Sequence, residues 1–141
     1  MIKITVKTED FEGRIIEEEC HFHLNKTELT ELDLKYKGGL KGEIERLQKE
    51  KNVEELFQFV KELMILGYGI KTENGKAFIK RPEITEEFRY GYVLPECLVE
   101  IMDDETGAGV MKFIKGMMPV STQQAIDEAA KKDPVLSKFY K

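Results

Sequence analysis

The chain has 141 residues, 41% of them apolar and 35% charged, and carries a net charge of −5. That length fits one domain with a true hydrophobic core, and the composition is too apolar for wholesale disorder. The acidic balance argues against a nucleic-acid partner, and the absence of both a signal-peptide core and a run of roughly 18 uncharged apolar residues argues against a membrane one.

Ile2, Ile4 and Val6 alternate with Lys3, Thr5 and Lys7, the period of two that marks a strand with one buried face. Residues 8–13 supply a turn. Cys20, Phe22 and Leu24 then alternate with Glu19, His21 and His23, which predicts a returning antiparallel strand and a β-hairpin over residues 1–24.

Helical patterning takes over at residue 25. Asn25 and Glu28 stand at capping-box spacing, Leu29 and Leu32 share a face, and Gly38-Gly39 ends the segment. A second helix is expected over Leu40–Lys49 with Ile44 and Leu47 turned inward. Asn52 and Glu55 repeat the capping spacing before the most apolar stretch. There Leu56, Phe59, Val60, Leu63, Met64 and Leu66 define a central core helix that ends at Gly67.

Asn74-Gly75 favours positive φ, so residues 68–70 and 77–79 are read either as a small hairpin or as a plain loop. Pro82 and Pro95 suit the first turns of helices reaching Phe88 and Met102, with the joint from Arg89 to Leu94 undefined. Asp103, Asp104 and Glu105 complement the positive end of a further helix with the stripe Val110, Phe113, Ile114 and Met117, which stops at Pro119. Ser121 is expected to cap a last helix to about Lys132, followed by a tail from Val135 to Lys141. The expected fold is α+β and mainly α, an N-terminal antiparallel β-hairpin packed on a cluster of five to seven helices. Its domain covers residues 1–119, with the hairpin in 1–24 and the helical part in 25–119, and residues 120–141 form a C-terminal helical extension.

Chemistry-bearing residues are sparse. Glu19, His21 and His23 fall on one face of the second strand about 7 Å apart, the chain's one metal-like cluster, but no distant fourth ligand accompanies them and an ordinary polar outer face explains them as well. Ser121 and Ser137 are the only serines, and neither sits in a strand-turn-helix elbow. Cys20 and Cys97 form no Cys-x-x-Cys pair, which points away from a disulfide framework or zinc knuckle, and Cys97 reads as a small buried hydrophobe. Gly107-Ala-Gly109 lacks the preceding strand and the Walker lysine of a phosphate loop. No catalytic residue, metal or cofactor is therefore assigned.

Methionines 64, 102, 111, 117 and 118 concentrate toward the C-terminal half. Core packing accounts for most of them, while flexible thioethers also suit a surface that accepts variable apolar partners. Phe113-Ile114 and Met117-Met118 are adjacent pairs, an apolar arc too wide for one core-facing stripe. A partner-binding surface is accordingly expected at Phe113, Ile114, Met117 and Met118 with Tyr90 and Tyr92 nearby, used either for a partner or for self-association into a homo-oligomer.

Four stretches in order resemble the tail assembly chaperones of siphophages from Gram-positive hosts: Met1-Ile-Lys-Ile-Thr-Val-Lys7, Asn25-Lys-Thr-Glu-Leu29 with Gly38-Gly-Leu40 after it, Tyr68 to Lys80, and Phe113-Ile-Lys-Gly-Met-Met-Pro119. The resemblance covers roughly residues 1–119. It implies a non-enzymatic protein of the host cytoplasm, absent from the mature virion, that coats the tape measure protein and recruits major tail protein. Tyr90-Gly-Tyr-Val-Leu-Pro95 departs from a segment that usually reads as uninterrupted helix, and residues 120–141 extend past the end of many members. The competing readings are a small metal-dependent hydrolase using Glu19, His21 and His23, and a structural tail-completion protein.

Overall fold

The computed structural model of the chain describes residues 1–103 and 108–124. Two eight-residue strands, β1 (Ile2–Glu9) and β2 (Ile15–Phe22), pair antiparallel from Ile2↔Phe22 to Glu9↔Ile15. Their turn is held by Asp10, whose carboxylate accepts the amides of Glu12 and Arg14 at 2.9 Å each, while Gly13 takes a positive φ of 84°. Ile4, Val6, Cys20 and Phe22 face the core, and Lys3, Thr5, Lys7, Glu17 and Glu19 face outward.

The helices α1 (Lys26–Lys35), α2 (Gly39–Glu50) and α3 (Val53–Gly67) follow. The capping box at α1 is complete. Asn25 Oδ1 accepts the Glu28 amide at 2.8 Å, and Glu28 Oε1 accepts the Asn25 amide at 3.0 Å. Gly38 and Gly39, at φ 86° and 75°, turn the chain from α1 into α2. At α3 the Asn52 side chain accepts the Glu55 amide at 3.1 Å.

From α3 the chain passes directly into β3 (Tyr68–Lys71), which pairs with the end of β2, and then into β4 (Phe78–Ile79). The sheet order is β1-β2-β3-β4, antiparallel throughout. The small hairpin is therefore formed, with Gly75 at φ 72° and the Asn74 side chain accepting the Lys76 amide at 3.0 Å. The chain continues through α4 (Pro82–Arg89), α5 (Val93–Met102) and α6 (Ala108–Met117), and residues 120–124 are again helical. The fold is α+β and mainly α, an N-terminal hairpin on a helical cluster.

Helices α5 and α6 pack on β1, α3 on β2 and α4 on β3, so one face of the sheet is covered. Phe22 lies at the centre of that layer, fully buried, with the rings of Tyr68, Phe88 and Phe113 edge-on at 5.8, 5.7 and 5.2 Å. Two sequence expectations shift inside α3. Ile65 is buried and Leu66 exposed, because α2, α4, α6 and β2 surround α3 on more sides than a single stripe serves.

Helix α5 opens at Val93, so Pro95 occupies its third position. The α4–α5 joint needs Gly91, since a Cβ there would stand 2.7 Å from the Glu87 carbonyl oxygen. The helical turn at 120–124 starts earlier than expected. The Gln123 amide donates to the Pro119 carbonyl at 3.0 Å, which places Ser121 inside the first turn rather than at its cap. Asp104, Glu105, Gly107, the course of the last helix to Lys132 and the tail from Val135 lie outside the described residues.

Candidate partner-binding groove

The six residues expected to form one partner surface separate in the structure. Phe113, Ile114, Met117 and Met118 are each 7% exposed or less, so the arc is mostly core, although Ile114 and Met118 line a second groove with Leu40 and Ile44 of α2. The reason is that α6 meets α3, α5 and β1 together. Phe113 packs on Phe22, and the Leu24 amide donates to the Met117 carbonyl at 2.7 Å, so a wide apolar arc is core on several sides at once.

Tyr92 is half-buried and fastens the hairpin to α5. Its hydroxyl donates to Glu18 Oε1 at 3.4 Å, its carbonyl accepts the Thr8 hydroxyl at 3.5 Å, and its ring meets Phe11 edge-on at 5.5 Å. Tyr90, two residues earlier, is 74% exposed and stands free of these contacts at the mouth of a groove.

That groove, about 620 Å³, runs between α3 and α5. Leu94 and Leu98 form its buried floor, and Phe57, Val99 and Met102 line it, with Val99 62% and Phe57 39% exposed. Its rim carries Lys61, Arg89 and Asp103. Arg89 is engaged by Glu62 at 3.3 Å and Glu86 at 3.6 Å, whereas Lys61 has no ion pair among the described residues. The surface thus offers apolar contact beside the Lys61 ammonium, which forms no ion pair among the described residues, and this suits an amphipathic helix with an acidic flank. Phe57 and Val99 escaped the sequence reading because each lies off the buried stripe of its helix. Their signal was large apolar side chains on otherwise polar faces.

The candidate metal cluster is not assembled. Glu19 Oε1 lies 3.2 Å from Lys3 Nζ and 3.9 Å from His21 Nε2 on the outer sheet face, while His23 lies just past the last residue of β2. Among the described residues no three His, Cys, Asp or Glu side chains converge on one point. His23 packs edge-on to Phe78 at 6.2 Å, with its Nδ1 buried and unpartnered. Beside it Lys80 Nζ donates to the His23 carbonyl at 2.6 Å and to both Glu28 oxygens at 2.8 and 2.7 Å, tying β4 to the first turn of α1.

Burial, followed by the positive charges of the N-terminus and Lys80, holds the His23 pKa below its ordinary value. The unfolded chain therefore takes up this proton more readily than the folded one below about pH 6.5. Stability is fully present above that pH and is lost as pH falls toward the lower folded-state value. His23→Gln should flatten this part of the curve, as urea midpoints at about pH 7.5 and about pH 5.5 would show. Equal slopes in the two proteins would exclude His23 as the responsible group.

Cys20 of β2 and Cys97 of α5, distant in sequence, are both buried and free, and the fold brings them near enough for each thiol to affect the other's proton. The neighbouring Cys97 thiol holds Cys20 below the ordinary thiol range, while the Cys20 thiol and burial raise Cys97. No helix of the described residues is long and apolar enough to cross a membrane.

The family model of phage tail assembly chaperones matches residues 1–140, nearly the whole chain. The chain belongs to the phage tail assembly chaperone family. The match continues through residues 120–140, beyond the point where the resemblance in individual motifs ends. No curated protein and no solved structure matches the chain. The α3–α5 groove exposes Tyr90, Val99 and Phe57, and a second groove is lined by Ile114 and Met118 of the α6 region.

Proposed function

We propose that this chaperone, which performs no catalysis, shields the apolar faces of the tape measure protein in the host cytoplasm. It also recruits major tail protein and is left out of the finished virion of a siphophage infecting a Gram-positive host. The α3–α5 groove is the observation that favours this reading. Tyr90, Val99 and Phe57 expose apolar surface together beside Lys61, so successive amphipathic turns of a long helical protein, with an acidic residue toward Lys61, can each be held and released. Affinity from apolar contacts with few directional bonds is also tolerant of sequence, as a client of changing register requires.

Co-expression tests the reading. A tape measure fragment of a few predicted amphipathic helices should move from the insoluble to the soluble fraction in the presence of the chain and co-purify with it. Major tail protein should then be captured by the complex, and mass spectrometry of finished virions should lack the chain. A fragment that stays insoluble and unbound would remove the proposal, and the chain's presence in virions would favour a structural tail component.

A further inference from the structure

Strand β1 ends the sheet, with β2 on one side and no strand on the other among the described residues. It is eight residues long, regular in register throughout, and free of proline and glycine. Edge strands of soluble proteins are ordinarily short, kinked or defended by charge, because an unpaired ladder of amides and carbonyls invites another strand. Here Lys3 and Lys7 are the charged defence, projecting from the open face beside Thr5 and Glu9, with Lys3 Nζ also 3.2 Å from Glu19 Oε1 of β2.

We propose that β1 pairs antiparallel with β1 of a second copy, joining two four-stranded sheets into one across a two-fold axis at Val6. This register sets Lys3 opposite Glu9 of the second copy, twice by symmetry, and Thr5 opposite Lys7, while Ile4 meets Thr8 and Val6 meets its own equivalent on the inner face. Shifting the axis by one residue to Thr5 places Lys3 opposite Lys7 twice, a like-charge arrangement that disfavours that register. The lysines therefore act as a selector. They reject slipped and promiscuous pairings and admit the one in which each copy's Glu9 answers the other's Lys3. The inference is independent of the proposed client, and it would place two α3–α5 grooves on one particle, which raises avidity for a long repetitive partner.

Charge exchange provides the test. Sedimentation velocity of the full chain over roughly 1–200 µM should show a monomer–dimer equilibrium, the range expected for a modest interface. Lys3→Glu and Glu9→Lys, each alone, should weaken dimerisation by about tenfold or more, since two attractive pairs become two repulsive ones. The double variant K3E/E9K, made with Glu19→Gln so that residue 3 faces no carboxylate of its own chain, should recover it to within about threefold of Glu19→Gln alone. Circular dichroism confirms that each variant is folded, and because the exchanged side chains are exposed, folding is expected to persist. A chain that is monomeric at every concentration, or a dimer indifferent to the single charge reversals, overturns the proposal. A dimer weakened by both single changes but not restored by the exchange overturns the register and, with it, the assignment of the interface to β1.

Discussion

Phe22→Ala should lower the unfolding free energy by about 4 kcal/mol, the loss expected when a fully buried phenylalanine leaves a cavity that its neighbours only partly fill. Phe22 touches elements from the whole chain: its ring meets Tyr68 of β3, Phe88 of α4 and Phe113 of α6. Tyr68 and Phe88 are themselves stacked at 4.0 Å, so the cavity borders a rigid aromatic pair with little freedom to collapse. Against a typical domain stability of about 5–15 kcal/mol the loss is large, and urea unfolding should show a much lower midpoint at unchanged slope. Phe57→Ala is the matched control. Its ring lies at the groove with 39% exposure, so the same chemical change should cost about 1 kcal/mol. A loss below about 1.5 kcal/mol for Phe22→Ala would show that the packing centre lies elsewhere.

Val99→Asp should abolish most client binding while leaving the chaperone folded. Val99 projects from α5 into the groove and is 62% exposed, so the new carboxylate stays hydrated in the free protein and costs little stability. A bound apolar helix would bury that carboxylate without a partner, and the resulting penalty of about 2 kcal/mol or more corresponds to roughly 30-fold weaker binding. Tyr90→Ala should act in the same direction by removing an exposed aromatic anchor, with an effect of about 1–2 kcal/mol. Binding of a tape measure fragment followed by calorimetry or co-purification measures both. Unchanged affinity in Val99→Asp, with the fold intact, would move the client to another surface.

Local rules account for most of what could be read in advance. Alternation at Ile2, Ile4 and Val6 specified β1 and its inward face, because period two follows from strand geometry alone. Asn25 with Glu28 and Asn52 with Glu55 located two helix starts, because a cap is an interaction between residues three apart. Asn74-Gly75 likewise marked the turn whose two flanking segments proved to be paired strands. The motifs were also enough to suggest the family, since order and spacing along the chain survive without coordinates.

The site was a different matter. Tyr90 and Tyr92 look equivalent in sequence, yet Glu18, Thr8 and Phe11 secure Tyr92 to the hairpin while Tyr90 faces the groove. Cys20 nears Cys97 only because α5 packs on the hairpin, and Glu19, His21 and His23, evenly spaced in sequence, do not converge on one point. The apolar arc of α6 suggested an exposed patch because helical periodicity counts one covering surface, whereas α3, α5 and β1 cover α6 from several directions. Periodicity and capping depend on neighbours within about one turn of the same element and are written in the chain. Which apolar face stays open depends on how many other elements arrive against it, and that number is set only when the whole chain packs.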